Sequence, residues 1–232
     1  QTHKLVLEGL FGAVNKVTST KKLMDKKQLS QLTVRCLILK HTPEHCQMIS
    51  KGKYQDEIDY LVSSRSRQNF IRNLAIKLEG NTLVLFQLVE KHGKNLHEII
   101  KEKAADDRKV FYIFGGVEAD EREAIRGIVE KEKDAIIVAS YGTFSTGISI
   151  KNIHNIFLTE SFKSEVIIRQ SIGRGLRKHD SKTMLQIVDF VDDLCWHDGD
   201  RMWKNYLFKH GEARKQIYKE QKFPYKTVPV KF

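Results

Sequence analysis

Six short runs of β-forming residues, apolar almost from end to end, limit what this chain can fold into. They are Thr33–Leu39 (TVRCLIL), Thr82–Phe86 (TLVLF), Val110–Phe114 (VFYIF), Ala135–Ala139 (AIIVA), Asn155–Leu158 (NIFL) and Met184–Phe190 (MLQIVDF). A strand with one wet face alternates apolar and polar residues. Runs without that alternation belong to strands covered on both faces, as in a parallel sheet. Amphipathic stretches separate them. Phe70, Ile71, Leu74 and Leu78 fall on one helix face, and Gly80 follows as a stop signal. Asp120 with Glu123 reads as a capping pair ahead of Ile125, Ile128 and Val129. Strand alternating with helix predicts an α/β fold with a mainly parallel β-sheet flanked by helices. At 232 residues the chain is long enough to bury a substantial core, as one large domain or two small ones.

Charge narrows the partners. Forty Lys and Arg against 29 Asp and Glu leave a formal charge of +11. Such an excess favours a polyanion: nucleic acid, nucleotide phosphates or an anionic membrane. Solubility alone is the competing explanation. From residue 201 onward nine basic residues face only Glu212 and Glu220. A boundary near Asp200 therefore divides residues 1–200 from a basic flank, 201–232, packed on or beside them. Met202–Gln221 reads as a helix and FPYKTVPVKF as an extended tail. The helix lies along phosphates or is simply a solvated face. No apolar run approaches the ~18–20 residues of a membrane span. Gln1–Leu10 lacks a signal peptide's apolar region, and the chain does not begin with Met, as expected of a piece of something longer. Cys36, Cys46 and Cys195 make no disulfide framework, which fits a reducing cytoplasm.

The stretch 169–179, RQSIGRGLRKH, sets two glycines among helix-forming residues. With Ser164 as the cap, Gln170, Arg174 and Arg177 stand at i, i+4 and i+7 on one helix face. Each interior glycine costs about 1 kcal/mol relative to alanine. Close approach of a backbone or ligand is the usual compensation for a residue such as Gly173 or Gly175. An arginine pair with little bulk around it suits a phosphate, whose oxygens fit the guanidinium fork. A helix end with a glycine C-cap and exposed arginines explains the spacing equally well.

The surrounding motifs separate these readings. Q-x-x-G-R-x-x-R (170–177) resembles the last motif of superfamily 2 helicases and translocases. VASYGTFSTGISI (138–150) resembles the motif before it. NTLVLFQLVEKHGKNL (81–96) is similar to the strand and helix opening the second motor domain. VFYIFGG (110–116) with EREAI (121–125) looks like the next strand and its turn. LFGAVNKVTSTKKLM (10–24) looks like the entry to that domain. The order and extent resemble the C-terminal half of the UvsW-type DNA helicases of T-even bacteriophages. The resemblance implies a RecA-like domain that shares ATP with a preceding RecA-like domain. That partner domain would carry the phosphate loop and most of the Mg²⁺ ligation. No G-x-x-x-x-G-K-[ST] occurs here, so this chain alone is expected not to hydrolyse ATP.

The resemblance further implies that Arg174 and Arg177 are arginine fingers for the γ-phosphate, with Gly147, Gln170 and Gly173 lining the nucleotide. Ser149 departs from the family, where an Asp often bonds the ribose. Gly116, Ser140 and Thr143, with Lys91 a weaker fourth, would meet the backbone of DNA, branched or duplex, in a recombination or repair setting. The expected location is the cytoplasm, that of the host if a phage encodes the chain. A basic nucleic-acid-binding module without ATPase chemistry is the alternative; it would tolerate lysine at both arginine positions.

Other constellations carry less. Cys36, His41, His45 and Cys46 fit no standard zinc spacing. GTFSTG (142–147) is not a nucleophile elbow, because its serine is one place late. Asp189, Asp192 and Asp193 could hold Mg²⁺ in a nuclease, but read better as a strand end paired with local basic groups. Trp196 and Trp203 read as packing residues, or one of them as a platform for a base.

Overall fold

A computed structural model describes residues 18–146, 149–160 and 164–232. Its strands are β1 (Gln31–Lys40), β2 (Thr82–Phe86), β3 (Val110–Ile113), β4 (Ile136–Ser140), β5 (Asn155–Leu158), β6 (Met184–Asp193), β7 (Trp196–Asp198), β8 (Arg201–Trp203) and β9 (Tyr225–Lys231). Seven of them form one sheet in the order β3-β4-β2-β5-β6-β1-β9, and every neighbouring pair is parallel. All six apolar runs are strands of that sheet. The longest ladder joins β1 to β6 from Gln31↔Met184 to Lys40↔Asp193.

The helices are α1 (Thr20–Asp25), α2 (Pro43–Ile49), α3 (Tyr54–Ser63), α4 (Arg65–Lys77), α5 (Lys94–Lys103), α6 (Ala119–Val129), α7 (Tyr141–Thr146), α8 (Glu165–Gly175) and α9 (Tyr206–Glu220), with a π turn at Val89–Gly93 before α5. Strand residues alternate between two cores, which is why the runs are apolar throughout. Leu83, Leu85, Ile137, Ala139, Ile156 and Ile187 meet Ile125 and Val129 of α6, Ile168 and Ile172 of α8, and Ile217 and Tyr218 of α9. Val84, Phe86, Ile136, Val138, Phe157 and Val188 meet Ile71 and Ala75 of α4 and Leu96 and Ile100 of α5.

Three local expectations change. The cap of α6 is Glu118, so Asp120 lies inside the first turn. The helix expected from Met202 starts at Tyr206, because Arg201–Trp203 pairs with Trp196–Asp198 as a hairpin. Its two-residue turn opens with Gly199 at φ +57°, a conformation glycine adopts without steric cost. The extended tail is the edge strand β9, in register with β1 from Val34↔Tyr225 to Lys40↔Lys231. Pro229 sits in it without harm, since an edge strand needs partners on one side only. No helix among the described residues is long and apolar enough to cross a membrane.

Candidate functional site

The arginine motif lies on α8 and just beyond it. Ser164 caps the helix as expected, its side chain accepting from the Ile167 amide. Ile168, Ile172 and Leu176 are buried against the sheet. On the other side Gln170 and Gly173 are exposed, Arg174 is half-buried and Arg177 is exposed. The helix ends at Gly175 with Leu176 as its C-cap, so Arg177 stands past the end and not on an i+7 helical face.

Groups from elsewhere fix that ending. The buried Lys182 ammonium donates to the Gly175 carbonyl at 2.7 Å and to the Lys151 carbonyl at 2.8 Å. The Ser30 amide donates to the Leu176 carbonyl at 2.9 Å, and its hydroxyl to the Arg177 carbonyl at 3.3 Å. A cation at a helix C-terminus is favoured by the exposed carbonyls there. Burial nevertheless pushes the Lys182 ammonium down to about 8.

The two glycines have different roles. A Cβ at Gly175 would strike Ile156 Cδ1 at 2.6 Å and Leu185 Cδ2 at 2.8 Å, so this glycine lets the helix close on the sheet. A Cβ at Gly173 would meet nothing within 4 Å. Nothing among the described residues requires glycine there. Arg174 is pushed down by burial and then by the charge of Arg177, so the two guanidinium groups feel each other. No carboxylate of the described residues lies within ion-pair distance of Arg177.

The other expected residues are dispersed. Gly147 lies outside the described residues, as does most of the 10–24 motif. Ser149 is half-buried. Gly116 is exposed after β3, where a Cβ would meet the Phe114 ring at 2.6 Å. Ser140 ends β4, and its hydroxyl lies 2.7 Å from that of Thr143 and accepts from the Thr143 amide at 3.3 Å. Both are buried, so these hydroxyls close the first turn of α7 and face each other before they face any ligand. Lys91 lies in the π turn, 3.3 Å from Asp59, with both side chains exposed. Gly116, Ser140 and Thr143 share the C-terminal edge of the sheet. Arg177 stands at the other end, beside Ser30, where β1 begins.

One arrangement has no signal in residue spacing. Glu160, just past β5, accepts from the Gln87 amide at 2.8 Å and pairs with His92 Nδ1 at 2.5 Å. Burial pushes the His92 imidazolium down. The pair ties the loop after β2 to the segment leading into α8.

The aspartates at the end of β6 are held by basic groups. Arg214 bonds Asp189 through Nε at 2.9 Å, and Tyr218 donates to the same carboxylate at 2.9 Å. Arg67 bonds Asp192 at 2.8 and 2.9 Å, and His41 Nε2 lies 3.0 Å from it. Lys40 pairs with Asp193. Among the described residues no group of three or more His, Cys, Asp or Glu could hold a metal ion. Cys36 is buried in β1, and His41 is engaged by Tyr60 and Asp192.

A seven-stranded parallel sheet flanked by helices, with an arginine pair at the end of the helix after the fifth strand, is the arrangement of a RecA-like lobe. Residues 65–179 match the family described as the helicase conserved C-terminal domain. The chain is 38% identical over 231 residues to the ATP-dependent DNA helicase UvsW of Enterobacteria phage T4, covering 95% of this chain and 45% of that protein. The crystal structure of T4 UvsW superposes with a TM-score of 0.74 at 36% identity, over 88% of this chain and 42% of that one. The C-terminal domain of the DEAD-box protein Dbp5 shares the fold alone, with a TM-score of 0.54 at 13% identity, over 87% of this chain and 90% of that one. This chain thus spans about half the length of its phage relative.

Proposed function

We propose that this chain is the second motor lobe of an ATP-dependent DNA helicase or translocase that remodels branched or duplex DNA. Its partners are DNA and a preceding RecA-like lobe of the same polypeptide, and its setting is the host cytoplasm. The observation that carries the proposal is Arg177: exposed, beside Arg174, with no carboxylate of the described residues to neutralise it. Gly173 adds open space on the same helix. A triphosphate presented by the other lobe fits this charge and room. Mg²⁺ ligands are assigned to the other lobe and to the triphosphate itself.

When bound, ATP supplies the phosphoanhydride whose cleavage drives the motor. Arg174 and Arg177 bring guanidinium donors to the γ-phosphate, stabilising charge as it spreads over the equatorial oxygens. Lys182 and Ser30 hold the backbone that carries both arginines. Gln170 lines the same face, and Gly147 lets the preceding loop approach the nucleotide. At the far edge of the sheet, Gly116 and the Ser140–Thr143 turn meet the backbone of one DNA strand, with Lys91 as a weaker fourth contact. Cleft closure and opening then alternate each lobe's grip on the strand. Contacts to phosphate carry no sequence information, and they weaken as salt rises.

The test joins the upstream lobe to this chain. DNA-stimulated ATPase in the joined protein, and none in the 232-residue chain, is the expected result. A joined protein that binds DNA without hydrolysing ATP would leave only the binding function.

A further inference from the structure

Beneath the β7–β8 hairpin lies a groove of about 300 Å³, lined by Lys51, Lys204, Lys209, Trp203 and Tyr206 among others. The two hairpin tryptophans are cross-strand partners with different surroundings. Trp196 is half-buried against Cys46, Ile49 and Leu194. Trp203 is 50% exposed and lines the groove with exposed Tyr206. Only Trp196 is therefore a packing residue.

The groove is cationic, with three lysines against one glutamate in its lining. Glu57 lines it, but both carboxylate oxygens are consumed at the start of α9, accepting from the Tyr206 amide at 2.8 Å and the Leu207 amide at 2.9 Å. Lys204 reaches the exposed Glu212 at 3.2 Å. Neither Lys51 nor Lys209 has a carboxylate within ion-pair distance among the described residues. Lys209 lies over the Tyr206 ring, 5.3 Å from its centroid.

Position adds to charge. β6 ends at Asp193 and the hairpin follows at once, so the groove opens at the sheet edge that carries Ser140 and Gly116. β4 and β6 are three strand spacings apart in the sheet order, about 14 Å.

We propose that this groove is a second contact for the DNA strand, with Lys51 and Lys209 on successive phosphates and a base stacked on Trp203. The inference rests on the strand-binding reading above and extends the strand's path across the sheet edge to the basic C-terminal flank. A single strand is the favoured occupant, because an exposed indole beside lysines suits an unpaired base.

The test measures binding of a labelled oligothymidylate to the 232-residue chain by anisotropy, with tryptophan fluorescence read in parallel. Trp203→Ala is expected to weaken binding about 5- to 150-fold and to abolish DNA-induced quenching. Lys51→Ala with Lys209→Ala is expected to lower the slope of log K against log salt by about 1.4. Both sites are on the surface, so thermal midpoints should stay unchanged. If both variants keep normal affinity and slope while the unaltered chain binds DNA, the assignment is overturned and a protein partner becomes the occupant. If the unaltered chain binds no oligonucleotide at low salt, the strand-binding reading itself fails, and the groove with it.

Discussion

Arg67 and Arg214 are 0% and 1% exposed, each closed on an aspartate of β6. Arg174 and Arg177 lie at the surface end of α8, and no carboxylate of the described residues reaches Arg177. The two pairs have the same side chain and different uses. A buried guanidinium must have its charge matched in place, because desolvation is expensive. Arg214 is held by Asp189, Phe190 and Tyr218, directly or through the shared carboxylate. Arg177 remains solvated, and the pKa of the half-buried Arg174 beside it is lowered by burial and then by that charge. The first pair binds helices to the sheet. The second, on the proposal made above, is cationic surface for a triphosphate held by the other lobe.

The largest effect that would break this contrast is catalytic. In the two-lobed protein, Arg174→Ala or Arg177→Ala should lower ATPase by about 10³–10⁵, or about 4–7 kcal/mol, with the unfolding midpoint of the lobe unchanged. Equal losses of rate and stability would place these arginines with the buried pair.

The buried side should respond in the opposite sense. Arg67→Met or Arg214→Met leaves an aspartate uncompensated and should cost about 3–5 kcal/mol by denaturant unfolding. Acid sharpens the point. Burial pushes the Asp192 carboxyl up, but the charge of Arg67 and the bonds from His41 and Arg67 hold it well below its ordinary 3.8. A carboxyl lowered by folding stabilises the protein above its unfolded value and loses that contribution as pH falls below it. Stability should therefore drop below about pH 4, and Asp192→Asn should flatten that acid limb.

The smallest effects concern the two glycines. Gly175→Ala should cost about 1–3 kcal/mol, through the clash with Ile156 and Leu185. Gly173→Ala meets open space and should gain up to about 1 kcal/mol of stability, while ATPase in the two-lobed protein falls. A variant at Gly173 that gains stability and keeps full ATPase would remove that residue from the nucleotide site.

Much of this was legible before any coordinates. The central strands carry apolar side chains on both faces, so each announces itself without its neighbours. Ser164 declares the start of α8 through its own hydroxyl. The end of α8 is different, because Lys182 and Ser30 arrive from distant segments to fix it, and no local pattern at Arg177 records them. β9 was hidden for a related reason. It is an exposed edge strand with a proline, and its partner lies about 190 residues earlier. The hairpin did leave a mark, the Gly199–Asp200 turn, but three-residue strands are too short for periodicity to register. Glu160 and His92 were illegible, since their pairing depends on the π turn.

The most direct measurement keeps the charge and changes only its shape. Single-turnover ATP hydrolysis, with DNA bound, is compared in the two-lobed protein, its Arg174→Lys variant and its Arg177→Lys variant. The expected result is loss of most of the rate in each variant with DNA affinity unchanged, because an ammonium lacks the guanidinium's forked donors. Near-normal hydrolysis in both would contradict the claim that these side chains serve a triphosphate.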